Sequence, residues 1–224
     1  MNHLIPRFRS AFGQTLSGAA VSAALCLSVP LTGCAWAAPA AAQSAGDLDL
    51  AVGALRAITT MQADFVQTDR NGQRVSGKLT IKRPGKIRFQ YQQGVPLLIV
   101  GDGKALTMVD YEVRQVQRWP IGSSPLGALL DPTRDVKRFG TLQPSVDPSI
   151  VAIEVRDRKH PEYGVITLVF QRRASGPGGL ELMSWVSLDS QNRRTTIRLS
   201  NQRYGMAIDD KAFRYVDPRI TGRR

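Results

Sequence analysis

Residues 74–92 read RVSGKLTIKRPGKIRFQYQ. Two alternating runs meet at a turn. In the first, Val75, Gly77, Leu79 and Ile81 share one side, and Arg74, Ser76, Lys78, Thr80 and Lys82 share the other. In the second, Ile87, Phe89 and Tyr91 alternate with Arg88, Gln90 and Gln92. A period of two with one apolar side is a half-buried strand, and Pro84-Gly85 between the runs is a turn. The stretch is an antiparallel hairpin, and its pattern repeats along the chain.

Upstream, Asp69-Arg70-Asn71-Gly72 is a second hairpin turn, because Asn-Gly tolerates positive φ. Before it, Phe65 alternates with Ala63 and Gln67 along a first strand. Asp47–Thr60 reads as a helix, with Leu48, Ala51, Val52, Leu55 and Ile58 on one stripe. Downstream, Pro96–Val100 is continuously apolar, and Asp102-Gly103 turns into Ala105–Val109. Tyr111–Arg118 alternates again, and Trp119–Ser123 reads as a loop. Ser124 is a fair N-cap with Pro125 at the first helical position, and Leu126, Leu129 and Leu130 form a short apolar face. Asp131-Pro132 repeats that start signal, so a second short helix is expected before Gly140. Strands resume at Ile150–Arg156, Val165–Arg172, Leu180–Leu188 and Thr195–Gln202, and the tail Tyr204–Tyr215 is a candidate for one more. The fold class is therefore mainly β. About nine to eleven antiparallel strands meander into an open or closed barrel, with helices available to cover one face.

The first 42 residues stand apart. Arg7 and Arg9 precede an apolar, small-residue run, 11–34, and Ala-rich cleavage sites follow it. This is a secretory leader, with the body at 43–224. Ser, Thr, Gly, Gln and Pro30 interrupt the run, which argues against a membrane span of ~20 clean apolar residues. Cleavage after Ala42 releases a soluble protein. Leu31-Thr32-Gly33-Cys34 also matches the lipobox pattern, so cleavage before Cys34 and acylation of its thiol is the alternative.

The chain of 224 residues carries 30 Lys+Arg against 18 Asp+Glu. The leader holds two of the arginines and no acid, so the 28 bases of the body still exceed its 18 acids. Both cysteines, Cys26 and Cys34, lie in the leader, and the body has one histidine, His160, in a charged turn. That excludes a zinc cluster, a disulfide framework and a Cys-His dyad in the body. There is no G-x-S-x-G and no P-loop; Gly101–Lys104 and Gly176–Gly179 fall where turns are needed. No enzyme chemistry, metal or cofactor is expected. Nucleic-acid binding on a sheet interleaves bases with exposed aromatics. Here Phe89, Tyr91 and Phe170 share parity with aliphatics, while Lys78, Lys82 and Arg88 take the opposite side. The charge reads as a solvated face, or as attraction to an anionic membrane or acidic partner.

Arg83 breaks the alternation. If the strand keeps its register, Arg83 points to the apolar side, where a buried guanidinium needs acceptors. The C-terminal carbonyls of the Ser124–Leu130 helix would serve, making a latch. If the strand ends at Lys82, Arg83 swings out instead.

The constellation resembles the periplasmic lipoprotein carrier family, LolA. The matching stretches are Met61–Gln67, Gly77–Phe89, Ile99–Lys104 and the Ser124-Pro125-Leu126 helix start. The resemblance implies an incomplete β-barrel with a helical lid over an apolar cavity for the acyl chains of lipoproteins. It implies that Arg83 hydrogen-bonds the lid and holds the empty cavity closed. It also implies cargo received from an inner-membrane ABC transporter complex and handed to an outer-membrane acceptor or to the outer membrane itself. The protein is then a periplasmic monomer with no nucleic-acid partner. Cavity candidates are Leu79, Ile81, Ile87, Phe89, Leu126, Leu129 and Leu130, for each of which ordinary core is the plain alternative. The lipobox-like Cys34 would suit the related acceptor, LolB, a lipoprotein anchored to the outer membrane at its periplasmic face.

Overall fold

In the computed structural model, residues 40–121, 125–133 and 136–219 are described. The leader up to residue 39, including Cys34, and the N-cap candidate Ser124 lie outside them. Helix α1 (Ala40–Ala57) is followed by β1 (Thr60–Thr68), β2 (Arg74–Lys82), β3 (Lys86–Tyr91), β4 (Leu97–Asp102), β5 (Ala105–Asp110) and β6 (Gln115–Pro120). Helix α2 (Pro125–Leu130) leads to β7 (Gly140–Gln143), β8 (Ile150–Arg156), β9 (Val165–Arg172), β10 (Leu180–Leu188) and β11 (Arg194–Tyr204). The strands form one antiparallel sheet in the order β6-β5-β4-β3-β2-β1-β11-β10-β9-β8-β7. Two meanders thus join where β1 pairs with β11, Phe65 facing Leu199. β6 and β7 are the unpaired edges, so of the open and closed barrels that the alternation allowed the sheet is the open one, as the resemblance implied. The segment containing α2 connects one edge to the other.

The sheet curls hard. Phe89 on β3 and Trp185 on β10 stand four strand positions apart. On a flat sheet that is about 19 Å. Their ring centroids lie 6.0 Å apart, edge to face. Gly77 helps the curl. It faces Phe65 across the β1–β2 ladder, and a Cβ there would lie 2.2 Å from the Gln90 carbonyl oxygen and 2.8 Å from the Phe65 ring. The missing side chain lets Phe65 lie over the strand and meet Phe89 and Tyr91 edge-on, each at 5.3 Å.

Helix α1 fills the β7–β10 half of the curl with Ala51, Val52, Ala54 and Leu55, all buried. It starts at Ala40, upstream of the expected Asp47, and ends at Ala57 because the chain turns at Thr59 into β1. Its fit is tight: a Cβ on Gly178 would come within 2.9 Å of the Ala54 Cα. Arg172 pairs with Asp47, and Lys137 with Asp49, fixing the helix to its surroundings.

Three expectations need correction. The second mid-chain helix is only a 3-10 turn, Val136–Arg138, since Gly140 opens edge strand β7 instead of capping a helix. β6 begins at Gln115, because Tyr111–Arg114 form the turn, and it runs through Trp119 and Pro120. The tail is not a strand. After β11 it crosses the outer face of the sheet, with a 3-10 turn at Asp210–Phe213. There Ile208 and Phe213 pack on Leu98, Val100 and Val109. This explains the unbroken apolar run of β4: Leu97 and Ile99 face inward, Leu98 and Val100 face the tail, and both faces are covered.

The tail is also where the outward bases go. Lys82 donates to the Ile208 carbonyl at 2.8 Å and pairs with Asp210 at 2.6 Å, and Lys86 takes the other Asp210 oxygen at 2.7 Å. Arg88 donates to the Ala212 and Arg214 carbonyls. Lys78 pairs with Asp64. Lys82, Lys86 and Arg88 thus tie down a strap, while Lys78 is paired within the β1–β2 ladder.

Phe213→Ala should cost about 3 kcal/mol, since it deletes a buried ring from the outer cluster; a urea midpoint shows the loss. The two lysines hold the Asp210 carboxyl at about 2, below its ordinary 3.8. A depressed carboxyl stabilises the strap above the unfolded value and loses that contribution as pH falls to the folded one. The NMR shifts of Ile208 and Phe213 should therefore move between pH 4 and 2, and Asp210→Asn should abolish the step.

Candidate functional site

Inside the curl is an apolar cavity of about 440 Å³. Its wall is built from inward positions of strands on opposite sides. β2 and β3 supply Ile81, Ile87 and Phe89; β4 and β5 supply Leu97, Ile99, Leu106 and Met108. Facing them are Ile166, Leu168, Leu182, Trp185 and Ile197 from β9, β10 and β11, with Leu55 from α1. Helix α2 closes it with Leu126, Leu129 and Leu130. Polar groups line the remainder: Gln67, Tyr91, Ser187, Thr195 and Arg83. The Tyr91 hydroxyl donates to Gln67 Oε1 at 2.7 Å, and burial pushes its pKa up to about 12, so it stays protonated.

Six of the seven apolar candidates from the sequence meet here: Ile81, Ile87, Phe89, Leu126, Leu129 and Leu130. Leu79 does not. It shares their parity, yet it is fully buried in the core and lines no part of this cavity. Alternation gives the face a residue points to, not whether that face is filled at its level. The contributions of β4, β5, β9, β10 and β11 went unnamed, although the Leu97/Ile99 and Leu106/Met108 pairs carry the same alternation. Trp185 has the opposite parity to the inward Leu180 and Leu182; the register shift between Leu182 and Ser184 turns it inward, and its meeting with Phe89 depends on the curl.

Arg83 combines features of both sequence readings. β2 does end at Lys82. Arg83 nevertheless turns inward, its backbone N–H donating to the Thr59 carbonyl at 2.8 Å. Its Nη1 donates to the Leu129 carbonyl of α2. Two residues on, the Gly85 N–H donates to the Leu130 carbonyl at 2.9 Å. The turn Arg83–Gly85 thus holds two carbonyls at the α2 C-terminus, groups that no intrahelical donor satisfies. Burial pulls the Arg83 guanidinium down to about 10, against the opposing charge of Asp131. At neutral pH it remains charged and hydrogen-bonded to the helix. Its Nε is buried without a hydrogen-bond partner among the described residues.

α2 depends on this. A helix of six residues is about 9 Å long and has no stability of its own. Five of its residues are buried: Pro125, Gly127, Ala128, Leu129 and Leu130. Arg56 of α1 adds one more tie, from Nε to the Pro132 carbonyl at 2.8 Å. The lid is a short buried segment pinned at its C-terminal end. Among the described residues no group of His, Cys, Asp or Glu is placed to hold a metal, and no helix is long and apolar enough to cross a membrane.

The family model described as outer membrane lipoprotein carrier protein LolA matches residues 56–216. An outer-membrane lipoprotein carrier protein of Dechloromonas aromatica is 31% identical over 183 residues, 78% of this chain and 85% of that one. One of Chromobacterium violaceum is 32% identical over 192 residues, 82% and 88% of the two chains. Among solved structures, a LolA superfamily protein of Nitrosomonas europaea is similar at 12% identity, over 77% of this chain and 97% of that one, with a TM-score of 0.42.

Arg83→Leu removes the charged hydrogen bond to Leu129 while leaving the Gly85 bond. The amides of residues 127–130 should then exchange about tenfold faster, with global unfolding little changed. Hydrogen exchange read by mass spectrometry checks this.

Proposed function

The chain belongs to the outer-membrane lipoprotein carrier family LolA, and on that premise we propose that its cavity receives the acyl chains of lipoproteins and carries them across the periplasm. Proteins of the family are carriers and not enzymes. The observation that carries the reading is the 440 Å³ apolar cavity closed by a helix too short to close it alone. Such a site works by transfer of apolar surface out of water, worth about 0.8 kcal/mol per methylene.

The Arg83 latch sets the balance between holding and releasing. Opening breaks its bond to Leu129 and exposes Leu126, Leu129 and Leu130, and that cost is recovered on closing. Cargo is therefore bound against a restoring force that favours the empty, closed state. Loss of the force leaves cargo accepted but poorly released to the next protein. The donor is an inner-membrane ABC transporter complex, and the receiver an outer-membrane acceptor or the membrane itself. The protein acts as a monomer after its leader, residues 1–42, is removed. The alternative, anchoring through an acylated Cys34, is distinguished by the mass of the mature N-terminus.

Purification from the periplasm should bring down acylated lipoproteins. Their unacylated Cys→Ser counterparts should be absent from the eluate. Recovery of both in equal amount would place the binding outside the cavity and overturn the reading.

A further inference from the structure

The cavity is smaller than the cargo of its family implies. A methylene and a water molecule are of similar size, and a water takes about 30 Å³ of the liquid. On that scale 440 Å³ holds about 15 methylenes, one acyl chain of ordinary membrane length. The three chains of a triacylated lipoprotein need α2 displaced. With α2 latched, the space suits one chain.

The cavity also has a polar vestibule. A depression of about 460 Å³ adjoins it, and the two share Leu126, Ile166, Ser187 and Thr195. Its outer wall is made of two adjacent hairpin turns, one bearing Arg70 and the other Arg193 and Arg194. The turns lie side by side because Thr68 pairs with Thr196. Both turns have an aspartate, but these carboxylates serve the backbone. Asp69 Oδ1 accepts from the Asn71 and Gln73 N–H groups. Asp189 Oδ1 accepts from the Gln191 and Arg193 N–H groups, and its Oδ2 takes the Arg193 guanidinium at 2.6 Å. Among the described residues, Arg70 and Arg194 make no ion pair. From inside to outside, the lining runs from aliphatic residues, through Ser187 and Thr195, to the two turns that bear Arg70, Arg193 and Arg194.

We propose that the closed protein binds a single-chain anionic amphiphile, with its chain in the cavity and its carboxylate or phosphate in the vestibule against Arg70 and Arg194. The inference rests on the cavity being an acyl-chain site and adds a ligand class to it. Occupancy by such a lipid keeps the apolar wall out of water without opening the lid, and an incoming lipoprotein has to displace it.

The test uses the purified, lipid-stripped protein and equilibrium dialysis with three C16 probes: palmitate, palmitoyl lysophosphatidylglycerol and neutral hexadecanol. At least one anionic probe should bind at one per protein, about five- to tenfold tighter than hexadecanol, as expected for two partly solvated ion pairs. The anionic probe that binds tighter identifies the head as carboxylate or phosphate. The double variant Arg70→Gln, Arg194→Gln should erase that margin and leave hexadecanol binding intact. Equal binding of all three probes, or a margin that survives the double variant, overturns the vestibule while leaving the acyl cavity standing. Binding of none of them overturns both.

Discussion

The structure turns on how two carbonyls at the end of a six-residue helix are satisfied. The Leu129 and Leu130 oxygens have no intrahelical donor, and they lie beside an apolar cavity rather than in water. Arg83 and the Gly85 amide supply the donors. Without them α2 would leave polar groups unpaired against hydrocarbon, a cost of 1–3 kcal/mol each in order of magnitude, about as large as a helix this short can gain. The same bonds place Leu126, Leu129 and Leu130 over the cavity. An empty apolar space in water persists only if something holds it shut, and here the means is a charge removed from solvent. Burial lowers the pKa of Arg83 to about 10. The latch is therefore not a strong clamp: hydrogen bonding to the helix is partly offset by desolvation of the guanidinium. On the proposed function, that balance suits a lid that opens for cargo.

The covalent order of the chain serves the same end. The two meanders are joined through β1 and β11, and the lid segment bridges the free edges β6 and β7. Edges left open invite strand pairing with other chains. Here one is a four-residue strand, and the other ends in Trp119-Pro120. The surplus of basic residues is spent in several places rather than gathered in one. Lys82, Lys86 and Arg88 hold the C-terminal strap, Lys137 and Arg172 hold α1, and Arg70 and Arg194 stand at the vestibule. A formal charge of +12 describes all of these together and is evidence for none of them singly.

Much of the fold was legible. The alternation at 74–92 defined the strands, and the Asn-Gly and Pro-Gly pairs defined the turns, because each is a local preference of the backbone. Arg83 stands out in the sequence because it puts a charge at an apolar parity. What was hidden involved partners distant in the chain. The strap needs Phe213 to meet Leu98, and nothing near either residue announces the other. Gly140-Thr141-Leu142-Gln143 has one apolar residue and becomes a strand only because β8 pairs with it. Leu79 looked like Ile81, and only the packing at its level separates core from cavity wall.

The sequence by itself determined a mainly β chain whose strands mostly carry one apolar face, a body without cysteine, and a short Pro-started helix in mid-chain. These follow from periodicity and from residue chemistry, which act over a few residues. Only the tertiary structure decided that the sheet curls until Phe89 meets Trp185, that an apolar space of about 440 Å³ is left inside, and that Arg83 turns inward even though its strand has ended. The reason is physical. Alternation tells which side of a strand faces oil, but the volume enclosed depends on how far the sheet bends and on what packs against it. Those quantities are summed over the whole chain.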